Sequence, residues 1–287
     1  MSDPVKIGIV GGSGLYEMEG LTDVEEVRLS TPFGDPSDAY LTGRLGDVEL
    51  VFLPRHGRGH VVSPSEINFR ANIWGFKRLG VSRILSVSAV GSMREDIAPG
   101  EFVIIDQFFD RTRHRVDTFF TGGVVAHVMF ADPVCGELRG ALLDSAKSEG
   151  VKVHDGGTYV NMEGPQFSTR AESNIYRKFG VDVIGMTNLQ EAKLAREAEM
   201  CYATIAMATD YDCWHEGHDD VTVEQVVKVA HQNVGNARGV LRRAIPLVAQ
   251  ARACNCGSAL QHAIMTDRSK ITDEARDRLG LLIDKYL

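Results

Sequence analysis

Val5-Lys6-Ile7-Gly8-Ile9-Val10 runs directly into Gly11-Gly12-Ser13-Gly14. A short apolar run rich in β-branched residues, closed by a glycine-rich turn, reads as a buried strand ending at the surface. Working outward, Arg83–Ala89, Phe102–Ile105, Val181–Met186 and Tyr202–Thr209 are further runs of strand length. Helical patterns separate them. Ser63-Pro64-Ser65-Glu66 has the spacing of a capping box, with Pro at the first helical position and Gly80 placed as the stop. Asn188 with Glu191, and Thr222 with Gln225, are two more helix starts. Strands alternating with helices predict an α/β fold with a mainly parallel sheet covered by helices on both faces, the central sheet being made mixed by a local meander. Asp23–Ser30, Ala39–Leu45 and Val48–Leu53 follow one another without a helix and predict a local antiparallel meander. A long last helix is expected from about Val223 to Ala253, followed by a shorter terminal one. With no repeat, low-complexity tract or linker, one domain over 1–287 is expected, and the tail from about Ala249 is read as peripheral.

Composition narrows the function classes. At 287 residues and 44% hydrophobic, the chain builds a sizeable core, and its net charge of −8 offers no field for a polyanion. Nucleic acid is not an expected partner. Met1-Ser2-Asp3-Pro4 does not read as a signal peptide and no apolar run is long enough to span a bilayer, so no membrane partner and a cytoplasmic setting are expected. Five dispersed cysteines suit reduced thiols better than a disulfide framework. Cys254-Asn255-Cys256 lacks zinc-ribbon spacing and reads as two incidental thiols.

Ligands of open α/β sheets sit where strands end at their carboxyl edges, and that rule selects the candidates. Gly11-Gly12-Ser13-Gly14 lets backbone amides approach an anion but is neither a P-loop nor a dinucleotide fingerprint. Pro54-Arg55-His56-Gly57-Arg58-Gly59-His60 follows a strand and carries donors suited to a phosphate; a solvated basic loop is the other reading. Ser88 and Ala89 in Ser86-Val87-Ser88-Ala89-Val90-Gly91-Ser92, and Thr187 after another strand, add hydroxyls and amides, or else simply pack against helices. Asp210 and Asp212 in Thr209-Asp210-Tyr211-Asp212 fit three chemistries. They can serve a purine's N7 and exocyclic amine, hold a divalent ion under a sugar nucleotide, or cap a turn. In Glu163-Gly164-Pro165-Gln166-Phe167-Ser168 the turn places Phe167 over a pocket or in the core. His215-Glu216-Gly217-His218 lacks the spacing of a zincin helix and reads as a loop.

Val10-Gly11-Gly12-Ser13-Gly14-Leu15, Thr31-Pro32-Phe33-Gly34, Arg55-His56-Gly57, Asn72-Ile73-Trp74, Glu163–Ser168 and Ala206–Trp214 together resemble the methylthioadenosine phosphorylase branch of the trimeric purine nucleoside phosphorylase family. The likeness runs in order from about Lys6 to Val248. It implies a single-domain phosphorylase fold and phosphorolysis of 5′-methylthioadenosine to adenine and 5-methylthioribose 1-phosphate. The alternative is broader action on methylthioinosine, adenosine or inosine. It further implies inorganic phosphate as co-substrate, no metal or organic cofactor, and a homotrimer or dimer of trimers with sites near subunit interfaces. By resemblance the phosphate ligands fall on Ser13, Arg55, His56, Ser88, Ala89 and Thr187. Met186 falls at the ribose, Phe167 at the base-stacking position, and Asp210, Tyr211 and Asp212 at the purine, with Asp210 and Asp212 catalytic. Ser168 and Val223 fall at specificity positions, and His127 at one that reaches a neighbouring subunit's site. Ser13 and Ser88 replace threonines, keeping the hydroxyl, and Gly185 before Met186 is a departure. Rivals outside the family are a metal-dependent glycosyltransferase, a nucleoside hydrolase and a non-catalytic nucleoside sensor.

Overall fold

The computed structural model describes residues 5–215 and 223–287, with the side chains of Ser13, Val223 and Gln225 outside that set. In chain order the strands are β1 (Lys6–Gly11), β2 (Leu21–Val27), β3 (Tyr40–Leu45), β4 (Val48–Pro54), β5 (Val81–Ser92) and β6 (Phe102–Ile104). They continue with β7 (Gln107–Arg111), β8 (Val153–Asp155), β9 (Thr158–Met162), β10 (Val183–Gly185) and β11 (Cys201–Asp210). The helices are α1 (Phe69–Arg78), α2 (Gly136–Glu149), α3 (Arg170–Lys178), α4 (Asn188–Glu197), α5 (Val223–Val248) and α6 (Asp273–Ile283).

The sheet is mixed, as expected, and it branches at β5. Its long path runs β2-β3-β4-β1-β5-β10-β9-β7, while β11 leaves β5 toward β6 and β8. The predicted meander is β2, β3 and β4, antiparallel neighbours joined without a helix. Strands β1, β4, β5 and β11 are mutually parallel and share a carboxyl edge. Successive residues along them feed two cores. Ile7, Ile9, Leu50, Phe52, Leu85 and Val87 face α2 and α5. Val10, Val51, Leu53 and Ile84 join the core that holds residues of α1, α4 and α6. Burial on both faces is why these strands read as continuous apolar runs rather than alternating ones.

Several predicted boundaries move for identifiable reasons. The helix expected after Ser63 starts at α1, where the Asn68 side chain accepts from Ala71 N and donates to Phe33 O at 2.7 Å. Glu66 is left to close a turn on Ser63 N at 3.2 Å, whereas Gly80, at φ +84°, ends the helix as expected. The cap position of helix α4 is Thr187 rather than Asn188, with no side-chain capping bond, because Asn188 and Glu191 turn inward. The Thr222 signal lies outside the described residues. Helix α5 ends at Val248 instead of Ala253, two residues after Pro246 removes a backbone donor.

The tail beyond Ala249 is not peripheral. Leu260, Ala275, Leu279, Leu282 and Ile283 are buried in the same core as Ile73, Phe76 and Ala195. Their apolar spacing was too sparse to mark them, yet helix α6 has a Thr272 cap that accepts from Ala275 N. Cys254 and Cys256 are likewise not incidental, since the fold brings them to Cys135 and Cys201. Among the described residues no helix is long and apolar enough to cross a membrane.

Candidate active site

The site is an opening in the central strand. Val10 of β1 pairs with Ser86 of β5, and Gly11 is the last residue of that strand. Gly91 is flanked by Asp210 of β11 and by Ile184 of β10, so β10 lies on the same edge of β5 as β1. Between Ser86 and Gly91 that edge has no strand beside it, leaving Val87–Val90 open. Buried strands do not normally leave backbone groups unpaired, so an open edge in mid-sheet invites a ligand. Ala89 is the exposed residue of an otherwise buried or half-buried strand and marks the mouth of the opening.

Two chain segments enter the gap from opposite ends. Gly11 abuts Val87, where an added Cβ would lie 3.0 Å from the carbonyl oxygen. The turn Ser13–Tyr16 follows it, with the Ser13 side chain outside the described residues. From the other end, antiparallel β10 runs back along β5 as far as Gly91, and Met186 and Thr187 follow it toward the gap. Thr187 is buried, and its hydroxyl makes no capping bond to the helix it precedes. Tyr159 is fully buried with its hydroxyl beside Ser88 and the Thr187 backbone, and closes no hydrogen bond there. Gly185 is required by this ring, because a Cβ at that position would lie 1.9 Å from the Tyr159 oxygen. Its departure from the family pattern therefore has a packing cause.

Arg55 follows β4 beneath the gap. Its amide donates to Gly11 O at 2.9 Å and its Nη1 to Val87 O at 3.0 Å. The guanidinium is 3% exposed and forms a two-armed ion pair with Glu191, itself 2% exposed. Glu191 also accepts from Ser86 at 3.0 Å, Tyr202 at 2.9 Å and Asn188 at 3.3 Å. A charge this deeply buried is tolerable only when paired and fully hydrogen-bonded. Arg55 thus enters the site with its charge already compensated. His56 sits beside it, with Nδ1 bonded to Val62 O at 2.8 Å and its ring stacked on His60 at 4.2 Å. Burial, reinforced by Arg55, holds its pKa down at about 4, so the ring is neutral near pH 7. Arg58, the second arginine of that loop, turns away to Asp38 at 2.9 Å and Glu26 at 2.8 Å.

The acidic half lies at the carboxyl end of β11. Gly91 clears space for it, since a Cβ there would lie 3.0 Å from Asp210 Oδ1. Asp210 Oδ1 accepts from Asp212 N and Oδ2 from the Thr209 hydroxyl, both at 2.7 Å. Burial raises its pKa above the ordinary carboxylate value. Asp212 is buried at φ +52°, and its Oδ2 has no hydrogen-bond partner among the described residues. Burial pushes its pKa up to about 6, with the neighbouring Asp210 carboxylate adding to the rise. A strained backbone and an unsatisfied buried oxygen in one residue mark a site held for something other than stability. Tyr211 points elsewhere, its hydroxyl donating to Glu95 O at 3.3 Å and its ring packing on Trp214.

The segment 163–170 closes over this half. Cys213 donates to Ser168 O at 3.3 Å and Arg170 to Cys213 O at 2.8 Å. Ser168 and Ser173 both bear on Asp212. Phe167 is 44% exposed, a free aromatic face rather than a core side chain. Gly164 rests on Met186, where a Cβ would meet the sulfur at 2.5 Å. Buried Arg115 fastens these pieces, donating to Met186 O, to Glu163 O at 2.5 Å and to Gln190 Oε1 at 3.1 Å. Glu191, Asn188, Tyr159 and Arg115 escaped the sequence reading, because each acts through a partner more than 25 residues away. Asn188 and Glu191 left a trace there only as a helix-start pair. Val223 has its side chain outside the described residues, as does 216–218 of the histidine loop. His127 is exposed, with its amide bonded to Ala263 O at 2.8 Å.

The chain is similar to proteins of known name. The chain is 60% identical over 282 residues to S-methyl-5′-thioadenosine phosphorylase of Geobacter sulfurreducens, covering 98% of this chain and 99% of that one. It is 59% identical over 281 residues to the protein of that name from Koribacter versatilis, covering 98% and 96%. A methylthioadenosine phosphorylase from an antarctic soil metagenomic library superimposes with a TM-score of 0.94 at 45% identity, over 98% of this chain and 100% of that one. A Schistosoma mansoni methylthioadenosine phosphorylase in complex with adenine gives a TM-score of 0.85 at 37% identity, over 91% and 99%. The phosphorylase superfamily model matches residues 6–246, the span that holds the branched sheet and both halves of the cleft, and the chain belongs to that superfamily.

Proposed function

We propose that the chain phosphorolyses 5′-methylthioadenosine, releasing adenine and 5-methylthioribose 1-phosphate. The observation that carries this reading is the pairing of an open strand edge, Val87–Val90, with two raised carboxylates at the neighbouring strand end. Phosphate sits in the gap on the Ala89 amide and the Ser88 hydroxyl, with Ser13, Thr187 and His56 around it and Arg55 beneath. An oxygen of monohydrogen phosphate attacks the anomeric carbon as the bond to adenine N9 breaks. The phosphate proton is lost and N7 of the base gains one, so charge and atoms balance. Developing positive charge on the sugar is met by the phosphate dianion, held in place before the bond breaks. Asp210 faces N7 and Asp212 the exocyclic amine, where its unpartnered oxygen accepts. Phe167 stacks on the base and Met186 lies at the ribose. Ser168 and Val223 bear on the choice of substrate.

No metal or organic cofactor takes part in this chemistry. The chain acts as a homotrimer or dimer of trimers, with His127 turned toward a neighbour's cleft, in the reducing cytoplasm. A broader nucleoside range is the second reading, favoured by a Schistosoma mansoni relative whose name pairs adenosine with methylthioadenosine. Base release from methylthioadenosine, adenosine and methylthioinosine, followed with and without phosphate, tests both. Adenine release that needs phosphate and leaves the sugar as its 1-phosphate is expected, fastest from methylthioadenosine. Release of free sugar without phosphate would refute the proposal.

A further inference from the structure

Four cysteines from three separate segments converge at the opposite end of β11. Cys135 precedes α2, Cys201 opens β11, and Cys254 and Cys256 lie in the tail. Their sulfurs all lie within 4.8 Å of one another, with Cys201 and Cys254 at 3.4 Å. A tetrahedral tetrathiolate with metal–sulfur bonds of about 2.3 Å has sulfur–sulfur edges of about 3.8 Å, whereas a disulfide needs about 2.05 Å. The cluster is near the first spacing and far from the second. Cys135 and Cys201 are buried and the other two half-buried.

The surroundings are built for negative charge. Arg252 brings Nη1 to 3.7 Å from Cys201 Sγ. Gly257 makes room for it, since a Cβ there would lie 1.9 Å from Arg252 Nη2. Neutral thiols gain little from a guanidinium, but a metal tetrathiolate carries two negative charges that it would offset. The backbone holds the ligand segments in place. Cys135 N donates to Tyr202 O at 2.8 Å, and Ala253 N to Glu137 Oε1 at 2.8 Å, fixing the tail beside α2 and β11.

We propose that Cys135, Cys201, Cys254 and Cys256 bind one structural Zn²⁺. Four sulfur donors in a closed set select zinc among the common divalent ions, and no position is left for substrate. Binding replaces four thiol protons with the metal, giving a dianionic site. The nine residue steps from Cys201 to Asp210 place it about 30 Å from the cleft, at about 3.3 Å per residue. It joins the tail to the sheet and takes no part in bond breaking.

Elemental analysis of the whole purified enzyme is expected to find one zinc per chain. A mercurial thiol reagent should release it into a colorimetric zinc indicator in step with loss of four thiols. The double variant C254S/C256S is expected to hold less than about a tenth of the wild-type zinc and to lose thermal stability, with kcat within about twofold. Three results overturn the proposal: four thiols freely titratable in native protein that carries no zinc, cysteine pairs joined as disulfides in non-reducing peptide mapping, or stoichiometric iron. Should the double variant not fold, the metal content and thiol titration of the wild type still decide.

Discussion

On the half of the cleft assigned to phosphate, Arg55 meets Glu191 in a two-armed pair, and the donors around that carboxylate are bonded. On the half assigned to the base, Asp212 sits at φ +52° with a buried oxygen unbonded and its pKa pushed up to about 6. The buried charge of the first half is compensated before any ligand arrives. The second is held under strain and desolvation that a purine would relieve. The contrast follows from the ligands, since a phosphate can be received by fixed donors, whereas a departing base needs carboxyl groups near their point of protonation.

The sharpest break of this contrast is Asp210→Asn, which keeps shape and removes the carboxyl. Turnover on methylthioadenosine at saturating substrate is expected to fall by about 10²–10⁴, the span for loss of a general acid. A loss below tenfold in steady-state assays would show that base protonation does not depend on this side chain. Stability should hardly change.

Glu191→Gln attacks the other half and should reverse that pattern. Removing one partner strands Arg55 as a buried charge, at a cost of about 3–5 kcal/mol to folding. Urea denaturation at fixed protein concentration measures it. Added phosphate should recover more stability in the variant than in the wild type, because the anion supplies the missing counter-charge. A cost under about 1 kcal/mol would mean that the pair is not what holds the phosphate half together.

The smallest effect is also the most diagnostic, because His56 and Asp212 have opposite linkage. His56 is held below its ordinary value of 6.5, at about 4, so the unfolded chain takes up this proton first. Its contribution to stability is therefore lost as pH falls from about 6.5 to about 4, up to about 3 kcal/mol. Asp212 is held above its ordinary value of 3.8, at about 6, so the folded chain takes up this proton first. Its penalty is relieved as pH falls from about 6 to about 3.8, again by about 3 kcal/mol. In ligand-free wild type the two nearly cancel. Asp212→Asn, which tolerates the same backbone angle, should raise stability near pH 7 by about 3 kcal/mol and expose the His56 slope. A pH–stability curve for the variant that parallels the wild type would remove Asp212 from this account.

Much of the cleft was legible because strand ends announce themselves. Gly11-Gly12-Ser13-Gly14, Arg55-His56 and Asp210-Tyr211-Asp212 each follow an apolar run, and local composition reports where a buried strand meets the surface. The helix starts were legible only to within a few residues, since Asn68 outbid Ser63 through Phe33, a partner 35 residues away. Glu191 looked like a capping residue for the same reason, its true partner Arg55 lying 136 residues distant.

By itself, the sequence determined the alternation of elements, the strand-end candidates and the family likeness. All of these depend on residues near one another along the chain. The tertiary structure alone decided that β5 opens between Ser86 and Gly91, that Gly185 makes way for Tyr159, that the tail enters the core, and that four scattered cysteines meet at the foot of β11. The physical reason is common to all four. Sheet register and close packing bring together side chains whose separation along the chain carries no information about their separation in space.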